Sequence, residues 1–284
     1  MRYSLITLCR DKLPVSATCL ASLARDSAFD GDWELVVVDN GSRDGTGAWL
    51  EGALRPVVAR AGGELVLISN PSNAGCSTAR NQALAAARGE FVVFLDNDVM
   101  PCTRDWPARL RAALESDPAA GMVGPKMIYP TPPNGIQCAG VGISRRGHVC
   151  FLGRGEPRDS AARSRPREVQ CLISACMMIR ARLYREFGGF DEIFNPVQFE
   201  DFDLCYRYRA NGWKALYTPD TEMYHLESVT TQGTAALKNA AVVVRNGLAF
   251  QRRWRAMFER EDGPDEAECR WKQLPATDLP SLFS

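Results

Sequence analysis

Two aspartates separated by one residue, Asp96 and Asp98, follow the apolar run FVVFL at 91–95. A run of this length predicts a buried strand, and open α/β sheets bind ligands beyond the carboxyl ends of their strands. Side chains at i and i+2 of an extended segment point to the same side, so both carboxylates can converge on one divalent cation. Such a pair is equally typical of an acidic turn. The rest of the sequence must decide between these interpretations.

Polar residues suited to a nucleotide follow two other predicted strand ends. Asp39 ends the apolar run at 34–38, where a carboxylate can accept hydrogen bonds from a ribose hydroxyl or a base N–H. The segment SNAGCSTARN at 72–81 offers Gly75 for close backbone approach and Arg80, near a helix start, for a diphosphate. Taken alone, Asp39 is also typical of a turn residue. Arg80 alone is also typical of a solvated charge on the surface of a helix. Their order along the chain, together with the two later aspartates, favours a nucleotide site.

The elements that must position these residues alternate between strands and helices. The first half predicts strands at 3–8, 34–38, 64–68 and 91–95, with helices at 15–25 and 78–88. The second half predicts helices at 105–115, 181–187, 200–210 and 234–258, strands at 121–128, 171–179 and 213–217, and a partly looped stretch at 130–166. This rhythm indicates an α/β fold with a mostly parallel central sheet flanked by helices.

Composition narrows the class of partner. Lys and Arg together number 34, as do Asp and Glu, so no overall field attracts nucleic acid or an anionic membrane. The ten cysteines lack the spacing of a metal site, which favours free thiols in a reducing cytoplasm. We find neither the apolar region of a signal peptide nor an apolar run of about 20 residues that spans a bilayer. Peripheral contact with the inner face of a membrane stays open.

Five stretches together resemble the family 2 glycosyltransferases, inverting enzymes of the GT-A fold that use nucleotide sugars. They are VVVDNGSRDGT at 36–46, NAGCSTARN at 73–81, FLDND at 94–98, GGFDEIF at 188–194 and EDFDLCYR at 200–207. The resemblance implies a GT-A domain at 1–228, with a nucleotide-sugar-binding half at 1–125 and an acceptor and catalytic half at 126–228. A C-terminal helical extension would occupy 229–284.

The resemblance also implies roles for residues on the donor side. Thr7 and Asp39 would line the nucleoside pocket, with Gly75 and Arg80 near the base or phosphates. Cys9 and Arg10 depart from the Tyr-Asn pair that the family often has after its first strand, which leaves the contacts to the base open there.

A metal and a base would complete the site. Asp96 and Asp98 resemble the family motif that holds Mg²⁺ or Mn²⁺ against the donor diphosphate. His225 resembles a histidine that many members place near that metal, although a lone histidine is also typical of a structural hydrogen bond. Asp201 is the implied general base, with Glu200 assisting it or binding the acceptor; both would begin a helix, whose dipole favours carboxylates.

Two further residues depart from or support this scheme. Ser174 stands where the family frequently has glycine, which can alter the acceptor floor. Asp203 and Arg207 lie four residues apart on the predicted helix and predict an intrahelical ion pair, so we interpret Arg207 as structural or phosphate-supporting.

The implied function is transfer of a single sugar from a UDP-, GDP- or dTDP-sugar to a hydroxyl of a glycan or lipid-linked saccharide. The Q-x-x-R-W pattern of processive synthases does not occur in the sequence. A non-catalytic nucleotide-sugar or glycan-binding module is the alternative from another class. A sugar-nucleotidyltransferase would have a glycine-rich loop after the first strand, where this chain has TLCRDKLP at 7–14, and a haloacid-dehalogenase-type phosphatase would leave 73–81 and 200–207 unexplained. The oligomeric state is left open.

Overall fold

The computed structural model describes residues 1–227 and 237–272, which form a mixed sheet covered by helices. The strands are β1 (Tyr3–Cys9), β2 (Trp33–Asp39), β3 (Gly63–Ser69), β4 (Phe91–Asp96), β5 (Val99–Pro101), β6 (Ala120–Ile128), β7 (Ile136–Cys138), β8 (Val141–Ile143), β9 (Val149–Phe151), β10 (Arg167–Val169), β11 (Cys176–Arg180) and β12 (Lys214–His225). The helices are α1 (Leu13–Asp26), α2 (Thr46–Trp49), α3 (Arg55–Arg60), α4 (Cys76–Ala86), α5 (Trp106–Glu115), α6 (Ala181–Phe187), α7 (Glu200–Ala210) and α8 (Leu237–Phe258).

The large sheet has the order β10-β12-β6-β11-β4-β1-β2-β3, with β5 on β12 and β7 on β6. Strands β4, β1, β2 and β3 are mutually parallel, and β11 is inserted antiparallel between β4 and β6. The nearly uniform burial of β1, β2 and β4 explains their continuous apolar runs, because helices cover both faces of a parallel sheet. The predicted α/β fold with a mostly parallel sheet is confirmed in this half.

Two predicted strands differ from the structure. The apolar run at 171–179 forms a strand only from Cys176, because Ser174 and Ala175 turn across the sheet end. The strand predicted at 213–217 instead continues to His225, since a bulge between Thr218 and Glu222 accommodates Pro219. Both differences shape the candidate site.

The register places Asp39 and Asp96 at the same edge of the sheet. Asp39 pairs with Cys9, and Asp96 pairs with Leu8, so β1 lies between them. Two strand spacings separate their backbones by about 10 Å. The carboxyl ends of these parallel strands therefore form one continuous ledge.

Helix α8 packs against the main hydrophobic core, which is built by the residues that precede it. The predicted helix at 234–258 is seen from Leu237, and 234–236 and the predicted boundary at 228/229 lie outside the described residues. Phe250 and Phe258 are fully buried in the main core, and Trp254 packs against it. No helix in the described part of the chain is long and apolar enough to cross a membrane. All ten cysteines fall within the described ranges as free thiols.

A buried carboxylate fastens α8 to α7. Asp203 is fully buried and accepts hydrogen bonds from Arg207, Arg253 and Trp254, at 3.0, 2.8 and 2.9 Å. The predicted pair of Asp203 with Arg207 is confirmed, and Arg207 also donates to two backbone carbonyls, as its structural interpretation requires.

The turn before α4 requires glycine for a reason that the sequence did not indicate. Gly75 has φ +88°, and a Cβ atom there would lie 2.3 Å from Oδ1 of Asn195. The same oxygen accepts the Ser77 N–H at 3.0 Å, and Pro196 O accepts the Cys76 N–H at 2.8 Å. The first backbone N–H groups of α4 therefore donate hydrogen bonds to acceptors within the protein. Gly75 allows the approach of Asn195, and its close approach to a ligand stays a prediction.

We expect Asp203→Ala to lower the free energy of unfolding by about 3–5 kcal/mol, because it removes the buried carboxylate that is the shared acceptor of Arg207, Arg253 and Trp254. Urea unfolding followed by circular dichroism measures the change. Asp105→Ala, which removes an exposed pair with Arg109, is the control and should change stability by less than about 1 kcal/mol. Equal effects of the two variants would contradict the anchoring role.

We expect Gly75→Ala to destabilise the fold by more than about 1 kcal/mol, because alanine disfavours this backbone conformation and its Cβ meets Asn195. Gly52→Ala, where a Cβ meets nothing within 4 Å, should be neutral or stabilising. If the Asn195 contact matters, Gly75→Ala with Asn195→Ala should lose less stability than the sum of the single variants. Additive losses in urea unfolding would exclude the contact as a cause.

Candidate active site

Asp96, Asp98 and His225 form a cluster able to hold a metal ion. Each offers a ligand atom, and these atoms all lie within 4.8 Å of one another. Asp96 ends β4, Asp98 follows it, and the extension of β12 past Pro219 brings His225 opposite Val99 of β5. Nε2 of His225 lies 3.3 Å from Oδ1 of Asp98. The structure thus joins all three residues that the sequence assigned to a metal.

Gln137 of β7 orients the imidazole. Its Oε1 lies 2.6 Å from Nδ1 of His225, and its Nε2 donates to the His225 carbonyl at 3.2 Å. This clamp directs Nε2 toward Asp98, as outer partners of metal-binding histidines commonly do. Burial lowers the pKa of His225, but Asp98 and Asp96 outweigh it and raise that pKa to about 9. Gln137 lies in the looped stretch at 130–166, and no sequence signal marked it.

The donor set fits a divalent cation. Carboxylate oxygens suit Mg²⁺ and Mn²⁺, and an added imidazole nitrogen is compatible with Mn²⁺. The concentration of two carboxylates beside a buried histidine supplies negative charge that a cation would offset. These three residues would hold the ion that the resemblance implies.

Arg80 links this cluster to the start of α7. Its two terminal nitrogens lie 3.1 Å from Oδ1 of Asp96 and 2.7 Å from Oε1 of Glu200. The side chains of Arg80 and Glu200 are only 6% and 4% exposed, and the guanidinium stacks 5.3 Å from the Phe190 ring. The sequence predicted contact of Arg80 with a base or phosphate. The structure shows it as a buried bridge between two carboxylates, and its contact with a base or phosphate stays a prediction.

Asp201 directly follows Glu200, the partner of Arg80 at the start of α7. The Ser174 N–H donates to its Oδ2 at 3.2 Å, and the Phe202 N–H donates to its Oδ1 at 2.9 Å. The side chain stays partly exposed. Desolvation and the neighbouring Glu200 raise the pKa of Asp201 to about 7, against the lowering effect of Arg80. A carboxylate of this kind can take up a proton near neutral pH.

The turn at Ser174 and Ala175 connects the two halves. Ala175 O accepts the Asp96 N–H at 3.1 Å, while the adjacent Ser174 N–H binds Asp201. Oε2 of Glu200 is buried and has no hydrogen-bond partner within the described ranges. The departure at Ser174 therefore lies in direct contact with the candidate base.

The two remaining donor-side residues have different placements. Asp39 is partly exposed on the ledge, and its Oδ1 accepts the Ser42 N–H at 3.0 Å. Thr7 is fully buried and donates to Leu95 O at 2.6 Å, so it does not line the cleft as expected. Side chains of a strand alternate between the two faces of the sheet. Both faces are covered here, so the Thr7 side chain is buried.

Comparisons with known sequences identify a family and several relatives of this chain. The profile described as Glycosyl transferase family 2 matches residues 4–188, well over half of the chain. The uncharacterized protein y4gI of Sinorhizobium fredii is 32% identical over 89% of this chain and 27% of its own length. The O-antigen biosynthesis protein RfbC of Myxococcus xanthus is 28% identical over 82% of this chain and 18% of its own. The chain thus spans about a quarter or less of these two relatives.

A third relative is similar over most of its length. The N-acetylglucosaminyl-diphospho-decaprenol L-rhamnosyltransferase of Mycobacterium tuberculosis is 28% identical over 89% of this chain and 82% of its own.

Solved structures share the fold. GalNAc-T7 with UDP, GalNAc and Mn²⁺ has a TM-score of 0.69 at 15% identity, over 91% of this chain and 49% of that one. The mannosyltransferase PcManGT of Pyrobaculum calidifontis, in complex with GDP-Man and Mn²⁺, has a TM-score of 0.61 at 24% identity, over 89% and 64%. The chain therefore has the GT-A fold and belongs to glycosyl transferase family 2.

Proposed function

We propose that this chain is an inverting, metal-dependent glycosyltransferase that moves one sugar from a nucleoside-diphosphate sugar to an acceptor hydroxyl. One observation carries the proposal: the buried Arg80 joins a cluster able to hold a metal ion, through Asp96, to Glu200, which directly precedes the partly exposed Asp201 carboxylate of raised pKa. An inverting transfer needs these two functions on opposite faces of the anomeric carbon.

The ledge of the sheet fits the donor. Asp39 lies about 10 Å along the ledge from Asp96, a span suited to a nucleoside placed beside its diphosphate. Asp39 accepts hydrogen bonds from the nucleoside, while Asp96, Asp98 and His225 hold the cation. When bound, that cation neutralises charge on the departing diphosphate.

Asp201 acts on the acceptor. The acceptor hydroxyl gives its proton to the Asp201 carboxylate as its oxygen bonds to the anomeric carbon, and the bond from that carbon to the diphosphate oxygen breaks with its electron pair. The amides of Ser174 and Phe202 hold the carboxylate in place. Glu200 keeps the pKa of Asp201 high enough for it to act as a base near neutral pH.

The relatives indicate which donors and acceptors to test first. GalNAc-T7 was solved with UDP and GalNAc and PcManGT with GDP-Man, so UDP- and GDP-sugars are the first donors to test, followed by the dTDP-sugars that the family resemblance implies. The mycobacterial relative is named for a sugar on diphospho-decaprenol. A lipid-linked saccharide is accordingly our preferred acceptor, with a free glycan second. The free thiols suit the cytoplasm.

Product analysis separates this proposal from its rivals. The protein is first screened by thermal shift against UDP-, GDP- and dTDP-sugars with and without Mn²⁺, because a ligand that binds only the folded state raises the melting temperature. The selected donor is then incubated with candidate acceptors. Release of nucleoside diphosphate supports the transferase, pyrophosphate indicates a nucleotidyltransferase, and stabilisation without turnover indicates a binding module.

We expect kcat/KM to rise as pH increases through about 7, because Asp201 must be deprotonated to accept the hydroxyl proton. In Glu200→Gln the lost repulsion lowers the pKa of Asp201, so the acidic limb of the profile should move to lower pH. Exposed Glu186→Gln is the control and should leave the limb in place. An unchanged limb in Glu200→Gln would contradict the assigned base or its environment.

Asp201→Asn should lower turnover by at least about 10²-fold while donor affinity stays nearly unchanged, because only the proton acceptor is lost. Asp98→Ala should instead weaken Mn²⁺-dependent donor binding. Isothermal titration with the donor, with Mn²⁺ or with EDTA, separates the two effects. Near-normal turnover of Asp201→Asn would remove it from the base role.

A further inference from the structure

Helix α8 has a charge unlike that of the whole chain. The segment 237–258 contains no Asp or Glu but includes Arg245, Arg252, Arg253 and Arg255, although the full sequence carries equal numbers of acidic and basic residues. All four arginines are exposed, and Arg253 also pairs with Asp191 and Asp203, each at 2.8 Å. The excess positive charge is therefore on the outside of the helix.

Apolar side chains share this outer face. Val244 and Leu248 are 62% and 48% exposed, and with Arg252 and Arg255 they follow the helical spacing of one face. Ile193, 55% exposed, lies on the turn against which α8 packs, since Asn246 donates to Phe194 O. Three of the five exposed large hydrophobic residues of the described chain thus belong to α8 or its adjoining turn. We call Val244, Leu248, Arg252 and Arg255 the outer face of α8.

We propose that the outer face of α8 docks on the surface of an anionic lipid bilayer. Aliphatic side chains beside arginines suit the boundary between acyl chains and phosphate headgroups. Guanidinium groups bind phosphates in pairs of hydrogen bonds, and basic residues gain further attraction from anionic lipid. Two copies meeting through this face would oppose arginine to arginine, with Glu259, which pairs with Arg255, as the nearby acid. The face has no exposed aromatic residue for stacking nucleic-acid bases.

The inner side of α8 connects the docking face to the catalytic helix. Asn246 donates to the carbonyls of Phe194, Val197 and Gln198 at 2.7–3.0 Å, and Gly247 packs on the Phe199 ring. Phe199 immediately precedes Glu200 and Asp201. A docked helix therefore presents the acceptor side of the cleft to the bilayer. This consequence rests on the proposed function, whereas bilayer binding itself requires no turnover.

Co-sedimentation with vesicles tests the proposal. We expect the protein to bind vesicles of phosphatidylcholine with phosphatidylglycerol, not phosphatidylcholine alone, and to dissociate as salt is added. Arg252→Gln with Arg255→Gln should weaken binding about 25-fold, since each basic residue at an anionic surface contributes about a factor of five. Val244→Ser with Leu248→Ser should also weaken binding. At high salt the affinity of this variant should fall further below that of the unchanged protein than it does at low salt.

Matched controls separate docking from loss of fold or of activity. Arg60→Gln with Arg104→Gln makes the same charge change on other exposed elements and should bind like the unchanged protein. Melting temperatures confirm that each variant is folded. Equal binding to neutral vesicles, equal loss in the control, preferential binding to duplex DNA, or self-association through this face by light scattering would each overturn the proposal. Vesicle binding without any transfer would retain it and refute only the proposed function.

Discussion

The buried ion-pair bridge of Arg80 is the interaction on which the site depends. A guanidinium removed from water requires anionic partners, and removing one partner leaves a buried charge at high energetic cost. Arg80 satisfies this requirement with Asp96 and Glu200, which lie on β4 and α7 and are more than a hundred residues apart in sequence. The bridge therefore fixes the distance between the end of the central sheet and the first turn of α7.

The same bridge sets the electrostatic balance of the cleft. The buried Arg80 pairs with Asp96 and Glu200, His225 pairs with Asp98, and Asp201 directly follows Glu200. The carboxylates at the sheet end suit a divalent cation, while desolvation and the neighbouring Glu200 raise the pKa of Asp201. Under the proposed function, one arrangement of charge would serve both leaving-group stabilisation and proton removal.

Local sequence patterns predicted the parts of this site that depend on local structure. Apolar runs located the parallel strands and the two aspartates that follow β4, whereas His225 and the roles of Glu200 and Asp201 were predicted from the family resemblance. The role of Gln137, the approach of Asn195 to Gly75 and the burial of Thr7 depend on contacts between residues distant in sequence, for which periodicity gives no signal. His225 reaches the metal cluster only because a bulge carries β12 past a proline that ordinarily ends a strand.

The anomeric configuration of the released sugar tests the central claim most directly. With the selected donor, Mn²⁺ and water as a slow acceptor, proton NMR identifies the first anomer formed before mutarotation. A base and a leaving group on opposite faces predict inversion, so an α-linked donor should first give the β-sugar. First appearance of the α-sugar would contradict the direct displacement assigned to Asp201.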